Sequence, residues 1–435
     1  MIIPNRRAFL STAAAAIATR ARPILGANNR VNLGIVGLGG RGTDHMNEWV
    51  KQADLRVAAL CDVNQEAQER GQARIEKTQG HKPKVYTDMR QLFADKEIDV
   101  VSFATPNHWH ALCAIWACQA GKDVYVEKPA CHNIWEGWKM VEAARKYKRM
   151  VQVGSQGRTL TFKMRAMQLL KEGVIGKIYL AKGLCYKRRR SIGHTPGQPV
   201  PPGVNWDLFL GPAPMRAFSM NRFKYNWHWF WDTGNGDIGN QGVHEMDMCR
   251  WGLNNAGMPK SVFSSGGKFA YTDDQETPNT QLATFDYGDF QIVFEVRGLI
   301  TGDEGGLPRR GENTIGNIYY GSEGYMVVDV GGFQVYKGDK AEKVMDEKPA
   351  ERSWDTSPHM GNLLKAVRSR NAGDLNADVE TGVMSACLCH LANISYRAGR
   401  KLTWDEAKKQ FAADAEASRM ITRNYRAPYV VPDRV

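Results

Sequence analysis

The hexapeptide Gly37-Leu38-Gly39-Gly40-Arg41-Gly42 stands between an apolar run, Val31–Val36, and a segment of helical periodicity that reaches about Gln52. A strand that ends on a glycine turn and reopens as a helix commits the chain to a βαβ unit. In G-x-G-x-x-G, Gly37 permits the tight turn, Gly39 lets the backbone approach a pyrophosphate, and Gly42 lets the helix pack closely on the strand. Leu38, Gly40 and Arg41 complete the loop, and the helix N-terminus stabilises the anion. A second strand, Leu55–Cys61, ends at Asp62, where a carboxylate accepts from a ribose 2′-OH and repels a 2′-phosphate. The expected cofactor is therefore NAD, with NADP disfavoured; Arg41 is the residue that argues the other way.

The pattern continues in the same manner. A polar helix at Glu66–Lys77, a strand at Asp99–Ala104, a helix at His110–Ala120, a strand at Val124–Val126, a helix at Ile134–Lys148 and a strand at Val151–Val153 follow in turn. Alternation of this kind predicts an α/β, Rossmann-like, doubly wound parallel sheet over residues 28–155. Beyond 155 the character changes. A helix at Phe162–Glu172 and a strand at Lys177–Tyr186 precede a Pro/Gly-rich loop at 193–204. Strand-like runs recur at Ser261–Gly266, Thr280–Asp286, Phe290–Val296, Ile315–Tyr320, Tyr325–Val330 and Phe333–Lys337. Residues 338–357 read as polar and irregular, and helices are expected near 358–370 and 378–398. Residues 156–435 thus form an α+β domain with a largely antiparallel open sheet, suited to substrate binding and assembly.

Asn5-Arg6-Arg7-Ala8-Phe9-Leu10-Ser11 and the Ala-rich run to Ala18 match a twin-arginine export signal. The apolar stretch is shorter than the roughly 20 residues a membrane span needs, so residues 1–27 are set aside as a leader. The formal charge is +12; the leader holds four Arg and no acid, which leaves +8 for the remainder. No nucleic-acid-binding motif accompanies this surplus, so a basic soluble surface is expected and nucleic acid is not a partner. The eight cysteines, at 61, 113, 118, 131, 185, 249, 387 and 389, contain no pair of C-x-x-C motifs, and no metal site is expected. A protein folded before export closes its core under reducing conditions, so buried free thiols are expected. Its cofactor is recycled in the cytoplasm, so a periplasmic or exported enzyme must hold NAD tightly.

Chemistry concentrates where strands end. Thr105-Pro106-Asn107-His108-Trp109-His110 and Glu127-Lys128-Pro129 both follow strands and so lie at the ligand edge. Lys128 can hold a substrate hydroxyl and lower its pKa. Asn240 and His244 are i, i+4 and share a helix face. His244 can take a hydroxyl proton as hydride leaves the carbinol carbon, whereas Asn240 can only hydrogen-bond. Asp237 and Asp247 are further electrostatic candidates, and Asp247 can equally cap or pair within its helix. In Tyr225-Asn226-Trp227-His228-Trp229-Phe230-Trp231 the three Trp share one face of an extended segment, either to stack on sugar rings or as a core strand. Arg188–Arg190 reads either as a carboxylate or sulfate site or as a solvated basic loop.

These residues resemble the Gfo/Idh/MocA oxidoreductases (glucose–fructose oxidoreductase, inositol dehydrogenase and relatives). GLGGRG, Asp62, ATPNHWH at 104–110, EKP at 127–129 and GNGDIGNQGVHEMD at 234–247 carry the likeness, with HLANISYRAGRKLTWD at 390–405. The resemblance implies catalysis by Lys128 and His244, with Asn240 standing where the family has Asp. The expected cofactor contacts are Gly37–Gly42, Asp62, Thr105, Pro106, Asn107, His110, Glu127 and Lys128. The expected substrate contacts are Tyr186, Arg189, Tyr225, His228, Trp229 and Asp237. The expected activity is hydride removal from a ring hydroxyl carbon of a sugar, glycoside or polyol, in a homodimer or homotetramer built through the C-terminal sheet. A rival reading is the redox-neutral scheme of glycoside hydrolase family 109, which the chain also resembles. A third, a non-catalytic sugar-binding protein, is opposed by the presence of Lys128 and His244.

Overall fold

The computed structural model describes residues 30–350 and 355–435. The twin-arginine segment lies outside them. The first sheet is built from β1 (Val31–Val36), α1 (Gly40–Trp49), β2 (Leu55–Cys61), α2 (Gln65–Gln79), β3 (Lys84–Tyr86), α3 (Met89–Ala94), β4 (Val100–Phe103), α4 (Asn107–Gln119), β5 (Asp123–Val126), α5 (Ile134–Lys146) and β6 (Val151–Val153). All pairs are parallel, in the order β3-β2-β1-β4-β5-β6. The order reverses between β1 and β4, so the loops that follow these strands diverge and leave a crevice. β4 and β5 are buried at every residue because helices cover both faces.

The second half adds α6 (Thr161–Lys171), β7 (Ile178–Lys187), α7 (Trp206–Leu210), α8 (Gly236–Asn240), α9 (Gly242–Gly252), β8 (Ser261–Gly267), β9 (Thr280–Asp286), β10 (Gln291–Arg297), β11 (Asn313–Gly321), β12 (Gly324–Asp329), β13 (Gly332–Lys337), β14 (Glu342–Glu347), α10 (Ser357–Ser369), α11 (Val379–Ala398), β15 (Leu402–Asp405), β16 (Gln410–Phe411) and α12 (Ala415–Arg419). Ten strands run β14-β13-β12-β11-β7-β10-β9-β8-β15-β16. Every pair is antiparallel except β7–β10. The stretch expected to be irregular after 338 contains β14, which pairs with β13 although its side chains are mostly polar and exposed.

The two sheets are distinct, but their cores are not separate. Met360, Leu363, Leu364 and Val367 of α10 pack with Val31, Leu33 and Ile35 of β1. α11 continues the apolar layer over β6, where Val383 and Gly382 meet Gly137 and Val153. The Pro/Gly-rich loop returns to the first sheet: Gln65 N donates to Gly203 O at 2.9 Å and Asn205 N to Val63 O at 2.8 Å. All eight cysteines are buried, and none is in a disulfide. Among the described residues no helix is long and apolar enough to cross a membrane.

Candidate active site

The fingerprint glycines divide into two pairs. A Cβ on Gly42 would lie 1.9 Å from the Gly37 carbonyl oxygen, and one on Gly37, at φ +84°, would lie 2.7 Å from Ala104 O. These two let α1 and the β4 loop close on the turn. Gly39 and Gly40 face open space, with nothing within 4 Å of a Cβ. Asp62 braces the same turn: its Oδ2 accepts from Leu38 N at 2.6 Å and its Oδ1 from Asn64 N at 2.8 Å. The Leu38 side chain points away into the core. Burial raises the Asp62 carboxyl above its ordinary pKa, opposed by the Leu38 and Asn64 amides.

A cavity of about 930 Å³ opens here, lined from the first sheet by Gly37, Gly39, Asp62, Thr105 and Lys128 and from the second by Tyr225, His228, Asn240, Gln241 and His244. Its residues fit a dinucleotide. Gly39 and Gly40 leave a cradle that any larger residue would fill, Asp62 borders it, and the buried Thr105 Oγ1 has no partner among the described residues. Among the described residues no cluster of three His, Cys, Asp or Glu could hold a metal.

Glu127 lines the cavity and braces its wall. Its Oε1 accepts from Arg41 Nε at 2.7 Å and faces His45 Nε2 at 3.0 Å; its Oε2 accepts from Lys128 N at 3.2 Å. Although burial opposes it, these partners hold the carboxyl well below its usual range. Arg41, the argument for NADP, is thus committed to Glu127. His110 is a tie between loops, its nitrogens 2.7 Å from Pro129 O and 2.8 Å from Thr105 O. Asn107, next to Pro106 at the start of α4, donates to Asn235 Oδ1 at 3.0 Å.

The catalytic candidates meet across the two sheets. Lys128 Nζ donates to the Asn240 carbonyl at 3.0 Å. The i, i+4 pair does not lie on one continuous helix: α8 ends at Asn240, α9 starts at Gly242, and His244 N bonds Gln241 O at 3.1 Å. The Asn240 carbonyl serves Lys128 instead. Both side chains still face the cavity. Tyr225 Oη accepts from Asn240 Nδ2 at 3.1 Å and from Arg189 Nη1 at 3.0 Å. With both lone pairs used, the phenol O–H is left for whatever occupies the cavity. The His244 ring has no hydrogen bond among the described residues. Burial, then the Lys128 charge, push it down to about 3. Burial also pushes Lys128 down to about 8, against the pull of Glu127 and with Arg41, Lys187 and Arg189 adding to the effect.

Several expected substrate contacts sit elsewhere. Tyr186 is fully buried on the opposite face of β7, its hydroxyl between Glu295 at 2.6 Å and Glu304 at 2.9 Å. Asp237 is closed by a bidentate pair with Arg189 at 2.7 and 2.9 Å, and Asp247 by Arg158 at the same two distances. Neither carboxylate, nor Arg189, is free for a ligand. The three Trp do not share an extended face, because Asn226–Trp229 is a 3₁₀ turn. Trp227 and His228, stacked at 3.5 Å between centroids, line the cavity. Trp229 is buried under the Arg189 guanidinium, and Trp231 lies under that of Arg397. Lys187, Gln156 and Gln241, not expected from the sequence, also line the cavity. Strand alternation carries the signal for Lys187, since Tyr186 faces the far side.

Two family profiles match the chain. One, for the Gfo/Idh/MocA oxidoreductase family's NAD-binding Rossmann fold, covers residues 31–155. The other, for that family's C-terminal alpha/beta domain, covers 135–267 and 321–431. A glycosyl hydrolase family 109 protein of Shewanella sp. strain W3-18-1 is 30% identical over 155 residues, 34% of this chain and 33% of that protein. An alpha-N-acetylgalactosaminidase of Shewanella oneidensis is 28% identical over the same extents. The chain spans about a third of the length of the curated relatives it matches. Among solved structures, the WlbA dehydrogenase of Chromobacterium violaceum with NADH and UDP-GlcNAcA superposes with a TM-score of 0.67 at 20% identity, over 88% of this chain and 98% of that one. Levoglucosan dehydrogenase with NADH and levoglucosan gives 0.65 at 18% identity, over 86% and 99%. At these identities the likeness is one of fold.

Proposed function

The chain belongs to the Gfo/Idh/MocA oxidoreductase family, and from that premise we propose that it oxidises a secondary ring alcohol of a sugar, glycoside or polyol with NAD. The observation that carries this reading is the meeting of Lys128 Nζ, the Tyr225 hydroxyl and the unpartnered His244 ring on the cavity that holds the fingerprint. Gly37, Gly39, Gly40, Asp62, Thr105, Pro106 and Asn107 would hold the cofactor, which supplies a hydride acceptor when bound. The Lys128 ammonium, steadied by the Asn240 carbonyl, donates to the substrate hydroxyl and favours its ionisation. His244, unprotonated, receives the hydroxyl proton at a ring nitrogen. Tyr225 donates to a neighbouring hydroxyl and fixes the ring, while Trp227 and His228 cover the cavity against water. The carbinol loses one proton and one hydride and becomes a ketone.

The twin-arginine segment supports export to the periplasm with a cofactor that stays bound, and the open face of the second sheet, with its half-buried Tyr320, Tyr325 and Tyr336, supports assembly into a homodimer or homotetramer. Purified protein incubated with a panel of glycosides and no added NAD tests the reading. A ketone product with reduction of bound nicotinamide is expected. Released sugar without net redox change would instead favour the redox-neutral glycosidase reading, to which the family 109 relatives point.

A further inference from the structure

We propose that the sugar this site takes is anionic, bearing a carboxylate or a sulfate ester, and that Lys187 receives the negative group. The inference rests on the sugar-oxidoreductase reading above and narrows its substrate class.

Lys187 ends β7, and because alternate residues of a strand face opposite ways, it points away from the side that buries Tyr186 and into the cavity. The arginines that follow it are spent. Arg188 donates to the Arg189 and Gly298 carbonyls, Arg189 holds Asp237, and Arg190 pairs with Glu312 at 3.0 Å. Lys187 is left with a neutral partner, Gln241 Oε1 at 3.0 Å.

The surrounding wall gives Lys187 no ion-pair partner among the described residues. Gln156, Tyr225, Asn240, Gln241 and His244 line the cavity with Lys128 and Lys187, and of the carboxylates that also line it, Asp44, Asp62, Glu66 and Glu127, none forms an ion pair with Lys187. The acidic groups in and around it are neutralised one by one. Arg41 closes Glu127, Arg189 closes Asp237, and Arg158 closes Asp247. Glu245, reached through the Gln241 amide at 3.4 Å, is pushed up to about 8 by burial, so it is largely uncharged at neutral pH. Two ammonium groups thus share one cleft. Lys128 already responds to the charge of Lys187. A neutral sugar filling the cleft would strip water from Lys187 and leave it unpaired, at a cost an anionic group removes. The phosphates of a dinucleotide belong to the fingerprint, which comes from the first sheet; Lys187 comes from the second.

The test uses the holoenzyme and calorimetric binding of matched sugars: methyl glucuronide, methyl galacturonide and glucose 6-sulfate against methyl glucoside, methyl galactoside and glucose. At least one anionic sugar is expected to bind about 10–100-fold tighter than its neutral counterpart, the range of a charge-assisted hydrogen bond. Lys187→Gln should bring that ratio close to one, and Lys187→Arg should restore part of it, with thermal melting confirming the fold of each variant. Uronate against sulfate preference then separates the two sources of charge. A panel in which no anionic sugar outbinds its neutral partner, or a ratio untouched by Lys187→Gln, overturns the inference. Because binding is read without turnover, Lys187-dependent capture of an anionic sugar that never reduces bound nicotinamide would defeat the oxidoreductase reading alone. Turnover of neutral sugars in preference to anionic ones would defeat this inference alone.

Discussion

His244 and Lys128 line one cavity, and burial moves both pKa values downward with different consequences. His244, near 3, is unprotonated and ready to accept a proton across the neutral range, and it is lost as an acceptor only when pH falls through that value. Lys128, near 8, must be an ammonium to orient the hydroxyl, and that form is lost as pH rises through 8. The expected kcat/KM profile is therefore flat from about pH 5 to 7 and falls on an alkaline limb near 8, with no limb at the roughly 6.5 of an ordinary imidazole. An acid limb between 6 and 7 would place His244 in a wetter setting than the one described. His244→Ala should retain bound NAD and slow its reduction by substrate roughly 10²–10⁴-fold; near wild-type reduction in a single-turnover absorbance trace would make His244 structural. That Asp62, Lys128 and His244 border one cavity was legible, Asp62 from its place at a strand end and Lys128 and His244 from the family motifs that hold them. The pairs that decide their surroundings were not, because Arg41–Glu127 and Arg189–Asp237 join residues far apart in the chain.

Elements show the same division. Strands and helices of the first sheet were legible from apolar runs broken by glycine, and β2 and β6 fall within the bounds their sequence patterns suggest. β3, three residues long and partly exposed, offers too few positions for a period to register. The turn at Asn226–Trp229 and the interruption between α8 and α9 depend on tertiary partners: the Asn240 carbonyl leaves the helical pattern to meet Lys128. The fingerprint allows a contrast between two glycines of one element. Gly42→Ala forces a Cβ to within 1.9 Å of Gly37 O. It should lower stability by roughly 1–3 kcal/mol, as overpacking does, and empty the cofactor site. Gly39→Ala meets nothing within 4 Å, so its melting temperature, compared with wild type after both are stripped of cofactor, should be close to unchanged while bound NAD falls. Melting curves and the nicotinamide released on denaturation separate the two. Equal losses in both variants would mean that Gly39 is needed for the fold itself.

At the scale of the whole molecule, the first sheet is finished by residues more than 130 positions away from those they cover or pair with. α10 and α11 supply apolar cover, and the segment Gly203–Asn205 pairs with Val63–Gln65 beside Asp62. No local pattern announces such closures, which is why the domain division at 155 separates two sheets and not two cores. The consequence concerns the proposed retention of NAD. A cofactor resting against Asp62 lies next to a strap anchored in the second domain, and wide opening of that end breaks the Gln65–Gly203 and Asn205–Val63 hydrogen bonds together. Release should therefore be slow, and the purified protein should contain NAD without any being added. Gly203 has φ +77°, and a Cβ there would lie 3.2 Å from that of Gln65. Gly203→Val should loosen the strap at a site that touches neither Lys128 nor His244. The expected result is faster loss of nicotinamide fluorescence on dilution of the reduced holoenzyme, with single-turnover reduction of the cofactor still bound kept near the wild-type rate. An unchanged release rate would show that retention resides in the fingerprint alone, and a protein isolated folded but empty would remove the premise that the cofactor travels with the chain.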